Sequence, residues 1–89
     1  MTGRQSSVVE ATAPGEASVT EYDRAHAATY ARLLDAERAG ADWREVARLV
    51  LGLDPAADEV IARRCHESHL ARAHWMTHTG YRQLLLRSD

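Results

Sequence analysis

Two patterns of apolar and polar positions divide the chain. Residues 1–17 hold Thr2, Gly3, Ser6, Ser7, Thr12, Pro14 and Gly15, with Val8 and Val9 as the bulky apolar side chains. Such a stretch buries too little surface to offset its ordering entropy, which predicts a disordered tail over residues 1–17. Residues 18–89 read as a helical domain. Tyr22, Tyr30, Leu33 and Leu34 recur at helical spacing among alanines and charges. Ser18 with Glu21, and Thr20 with Asp23, are competing capping boxes for the start of that helix. Gly40 supplies the left-handed residue that closes it. Asp42 and Glu45 form a further capping box, and Trp43, Val46, Ala47 and Val50 line one face of a short helix ended by Gly52. Asp54-Pro55 then predicts a third helix start, with an N-cap acceptor and a proline whose missing N–H costs nothing there.

No Gly or Pro follows Pro55 until Gly80, enough chain for one long helix. The apolar face argues against it. At about 100° per residue, Ile61 and Cys65 define one side, while Leu70, Ala73 and Met76 define another, and Arg72 falls near the middle of the first. The pattern therefore predicts a break near residues 66–68, with Ser68 capping the next segment. Tyr81–Leu86 is expected as a short final turn whose Tyr81, Leu84 and Leu85 pack back. No alternating strand pattern occurs, so the expected fold is all-α: a small bundle of four to five helices.

Eighty-nine residues allow one small domain. No apolar run approaches the ~20 residues of a membrane span, and no signal peptide is recognisable. The single Cys65 excludes an intrachain disulfide framework and fits a reducing cytoplasm. The chain carries eleven Arg, no Lys and thirteen acids, for a net charge of −2. That balance argues against nucleic-acid binding through net positive charge. The charge is uneven, however. Residues 1–42 hold four Arg and seven acids, whereas Ile61–Arg87 holds five Arg against Glu67 alone. The absence of Lys, with sixteen Ala and no Asn or Phe, reflects a GC-rich genome.

The helices flanking Leu51-Gly52-Leu53-Asp54-Pro55 resemble a helix-turn-helix, in which a small residue in the first helix and a Gly in the turn let the second approach closely. Val46-Ala47 and Gly52 fill those roles, although the Ala-to-Gly spacing is one residue longer than standard and Asp58 falls where an apolar residue is usual. A plain three-helix bundle accounts for the same pattern. Asp54, Asp58 and Glu59 at the start of the second helix would face phosphates unfavourably. Cys65 with His69, and His74 with His78, have the i,i+4 spacing that can share a metal, but no third ligand arrives at a metal-site spacing, so no metal is expected. No cofactor loop and no nucleophile–base pair is present, and the chain is not expected to be an enzyme.

Asp42-Trp43, Val46-Ala47, Leu53-Asp54-Pro55, Arg63-Arg64, Ser68-His69-Leu70-Ala71-Arg72-Ala73, Trp75-Met76 and Gly80-Tyr81-Arg82 with Leu84-Leu85 resemble a variant helix-turn-helix domain family. It occurs in regulators of proteobacterial integrative and conjugative elements. Its stand-alone form is the QseM-like antiactivator, and the resemblance covers roughly Tyr22 to Leu86. It implies a cytoplasmic, monomeric protein that binds transcriptional activators, the quorum-sensing LuxR-type TraR and the excision activator FseA. Binding would repress excision and conjugative transfer. His66 stands where the DNA-binding relatives often carry an aromatic, and His74 where they often carry Arg or Lys; the resemblance thus implies no direct DNA binding here. Candidate protein-binding positions are Arg63, Arg64, Glu67, Arg72 and Trp75, with Asp35 and Glu37 on the acidic first helix. The alternative is a DNA-binding helix-turn-helix regulator acting on paired half-sites.

Overall fold

The computed structural model describes residues 9–80. Among them the chain forms α1 (Glu21–Ala25), α2 (Ala27–Arg38), α3 (Trp43–Leu49) and α4 (Glu59–Trp75), and ends in a π-helical turn, Met76–Gly80. No strand occurs among the described residues, and the class is all-α. The expected final turn at Tyr81–Leu86 lies outside the described residues.

Local chemistry sets the helix ends. Of the two competing capping boxes, Thr20 with Asp23 forms: the Asp23 N–H donates to the Thr20 hydroxyl at 3.2 Å and the Thr20 N–H to the Asp23 carboxylate at 2.8 Å. The helix expected to run on to Gly40 is divided at His26, whose backbone leaves the helical region at φ −112°, ψ 22°. Gly40 and Gly52 adopt φ of 75° and 71° and turn the chain after α2 and α3, a conformation that any other residue reaches only with strain. Asp42 caps α3 by accepting from the Arg44 N–H at 3.2 Å.

α4 is the central helix and packs against both α2 and α3. Tyr30 and Leu33 from α2, Val46 from α3, Leu51 from the turn, and Cys65 and Ala73 from α4 form the buried core. Leu34, Val50, Leu53, Leu70 and Met76 pack around it. Leu33 is 1% exposed, so truncating it to Ala removes about 2–5 kcal/mol.

Two further expectations require correction. The third helix begins at Glu59, not Pro55: Asp54 caps a turn through the Ala56 N–H at 3.2 Å, and Asp58 caps the helix through the Ile61 N–H at 3.0 Å. The break near residues 66–68 is absent, because α4 runs unbroken through them. Its Ser68 instead donates to the Cys65 carbonyl at 3.1 Å and accepts from the Ala13 N–H at 3.0 Å. Part of the segment expected as a tail over residues 1–17 falls among the described residues. From Val9 onward the segment lies as a strap against α1 and α4, and Val9 packs on the core. Residues 1–8 lie outside the described residues.

Candidate nucleic-acid interface

The inner face of α4 explains the missing break. Residues 62, 65, 69, 72 and 73 all point inward, and two of them are polar: His69 is 0% exposed and Arg72 5%. Buried polar side chains are tolerated only when partnered, and here both are. The Arg72 guanidinium reaches both Asp23 carboxylate oxygens at 3.0 and 2.7 Å and the carbonyls of Glu16 and Ser18 at 2.7 and 3.0 Å. The Tyr30 hydroxyl donates to the same carboxylate at 2.8 Å. Burial alone would raise the Asp23 carboxyl, but the bonds from Arg72, Thr20 and Tyr30 overcome it and hold the group at about 2. Burial and the Asp23 carboxylate push the Tyr30 phenol up.

His69 joins a second set of bonds. Its Nδ1 donates to the Cys65 carbonyl at 2.8 Å, which leaves Nε2 to accept from the Tyr22 hydroxyl at 2.6 Å. Tyr22 in turn accepts from the Glu10 N–H at 2.9 Å, and the Cys65 thiol donates to the Glu10 carbonyl at 3.4 Å. Burial lowers the His69 pKa and raises the Cys65 thiol. The strap is thus held by the polar residues of α4's inner face.

The outer face of α4 presents Val60, Arg63, Arg64, Glu67 and Ala71 to solvent. α3 stands beside it with Arg44 and Arg48 exposed. Trp43 lies between the two helices: its ring is 5.0 Å from the Arg44 guanidinium, 5.7 Å from that of Arg63, and 6.0 Å from the His66 ring. Burial lowers the His66 pKa, which favours the neutral ring. Arg44 pairs with Glu59 across the turn, and Arg63 pairs with Glu67 at 3.1 Å along α4. Arg48 and Arg64 have no carboxylate partner among the described residues.

The positions singled out from sequence separate into three places. Arg63, Arg64 and Glu67 share the outer face. Arg72 and Trp75 belong to the interior scaffold, with the guanidinium 3.9 Å from the half-buried indole. Asp35 pairs with Arg38 at 3.4 Å, and Glu37 with His74 at 2.7 Å, tying α2 to the end of α4. Sequence reasoning missed Arg44, Arg48 and Val60 as surface chemistry. The i,i+4 spacing of the two arginines on the short helix after Asp42 was the available signal. No group of three potential metal ligands gathers among the described residues. No helix among them is long and apolar enough to cross a membrane.

Residues 2–86 match the family model described as "T6SS, Transcription factor, DNA binding domain". No curated protein matches the chain. The family match overturns the expectation that the chain makes no direct DNA contact. Net charge misled, because it counts acids regardless of position. Asp23 cancels with Arg72 and Glu59 with Arg44, Asp54 and Asp58 serve as caps, and Arg48 and Arg64 are left with no carboxylate partner among the described residues.

Proposed function

The chain belongs to the RovC-type family of transcription-factor DNA-binding domains, and from that membership we propose that it is a non-enzymatic, DNA-binding transcription regulator working in the cytoplasm. In this reading α3 and α4 are the helix-turn-helix pair, and α4 enters the major groove while α3 lies toward the backbone. The observation that carries it is the outer face of α4. Seventeen residues of helix are anchored along one side by the core and present arginines and small or apolar side chains along the other. Arg44 and Arg48 sit where phosphates would pass.

Anisotropy of a labelled duplex, titrated with the protein at several salt concentrations, tests the reading. Two phosphate contacts, from Arg44 and Arg48, imply a slope of log affinity on log salt of about −2, and Arg48→Ala reduces its size by about one. An absence of salt-dependent duplex binding sinks the proposal. The narrower role, repression by capture of activators such as TraR and FseA, stands on the sequence resemblance alone. Titration with such an activator in place of DNA separates the two.

A further inference from the structure

We propose that base recognition by α4 is concentrated in two side chains, Arg64 reading a guanine and Val60 reading a thymine methyl nearby. This rests on the DNA-binding reading above. Along α4, residues 60, 64, 67 and 71 recur at helical spacing and form one stripe, opposite the buried Cys65, His69 and Ala62. A helix seated in a groove by its outer face brings this stripe closest to the base edges.

Side chains along that stripe differ in what they are free to do. Arg63, to one side, donates to Glu67 and lies near the Trp43 ring, and across the turn Arg44 is taken by Glu59. Arg64 is exposed and has no carboxylate partner among the described residues, so its planar fork is available for the paired acceptors O6 and N7 of guanine. Val60 stands one turn earlier and is 67% exposed. A bare apolar side chain at the start of a groove-reading helix matches the thymine methyl, the apolar feature of the major-groove edge. Ala71, at the far end of the stripe, is small enough to let the helix lie close. Glu67 already accepts from Arg63 and is assigned no base. The acids at and before the helix start are engaged: Asp58 accepts from the Ile61 N–H of the helix, Asp54 from the Ala56 N–H of the preceding turn, and Glu59 pairs with Arg44.

The test begins with selection of bound duplexes from a randomised pool by the intact chain, followed by affinity measurements on the selected duplex and its single-base variants. Arg64→Ala is expected to erase about ten- to hundredfold discrimination at one guanine while leaving binding to unrelated duplex intact. Replacing the recognised thymine by uracil, which deletes only the methyl, is expected to weaken the natural chain and to leave Val60→Ala unaffected. Arg48→Ala is expected to weaken all duplexes equally. Thermal melts of all three variants should match the natural chain, since all three side chains project into solvent. If Arg64→Ala weakens all duplexes alike, or uracil weakens Val60→Ala as much as the natural chain, this assignment is overturned and the DNA-binding reading stands. Enrichment of no duplex overturns this assignment, and a pool that shows no salt-dependent binding at all overturns the DNA-binding reading with it and leaves the outer face to a protein partner.

Discussion

Arg64 and Arg72 lie eight residues apart on α4, and their surroundings are opposite. Arg72 has spent its donors on the Asp23 carboxylate and on the carbonyls of Glu16 and Ser18, with 5% of its side chain exposed. It joins the strap, α1 and α4 into one unit. Arg64 touches no carboxylate among the described residues and points into solvent. One guanidinium is structural and the other is available, though each counts as +1 in the composition. Charge along a chain therefore says little about binding until the partners already engaged inside the fold are subtracted.

The comparison breaks most visibly in stability. Asp23→Ala or Arg72→Ala leaves a buried charge unpaired, and each is expected to cost about 3–5 kcal/mol in urea denaturation. Arg64→Ala should stay within about 0.5 kcal/mol of the natural chain. Equal losses from Arg64→Ala and Arg72→Ala would show that the two faces are not separable. The paired replacement Asp23→Leu with Arg72→Met should recover much of the loss, because it leaves neither charge behind.

Acid probes the same pair without mutation. The Asp23 carboxyl titrates at about 2 in the fold against 3.8 for the free group. Its stabilisation is full above pH 3.8 and is lost as pH falls through the folded value. The difference amounts to about 2 kcal/mol. His69 acts earlier. Burial lowers its folded pKa below 6.5, so the unfolded chain takes up a proton first and stability declines as pH drops below 6.5. Melting temperature followed from pH 8 to 2 should show two separate declines. His69→Gln should shrink the upper one, leaving the share of His66, whose pKa burial also lowers, and spare the lower. A single decline confined to the ordinary carboxylate range would contradict the inner-face network.

Those buried polar groups also explain which parts of the fold were legible in the sequence. Gly40, Gly52, Asp42 and the Thr20–Asp23 box were readable because each acts on its near neighbours. The unbroken α4 was not, since its inner face includes His69 and Arg72, which count as polar until their partners are known. Asp23 lies 49 residues from Arg72. Arg72 does lie inside with Cys65, whereas Ile61, expected on the same side, is 56% exposed; the partner rather than a break resolves the conflict. The strap escaped notice for a related reason. It contributes backbone groups more than apolar side chains, and α4 supplies the matching Ser68, Cys65 and Arg72. At the outer face, Arg63 and Arg64 stood out by charge, whereas Val60 reads as core until its exposure is known.

A smaller effect sharpens the boundary between the strap and the outer face. Tyr22→Phe deletes the hydroxyl that donates to His69 and accepts from Glu10. The buried imidazole nitrogen is then unsatisfied, for an expected loss of about 1–3 kcal/mol. Hydrogen exchange at the Glu10 and Ala13 amides should accelerate, while duplex affinity at a temperature well below the melt stays the same. A large fall in affinity would tie the strap to the interface.

The smallest stability effect is expected at the outer ion pair, and there the change in binding has the opposite sign. Arg63 and Glu67 are 59% and 63% exposed, and their order along the helix, cation first, is the weaker of the two arrangements. Glu67→Gln should therefore cost no more than about 0.5 kcal/mol. The same change removes the carboxylate that Arg63 pairs with and leaves its guanidinium for a phosphate. Duplex affinity should rise, and the salt dependence should steepen by about one contact. A loss of stability above about 1 kcal/mol would make the pair part of the scaffold, as Arg72 with Asp23 is. A fall in affinity would mean that Glu67 positions Arg63 for its phosphate rather than withholding it.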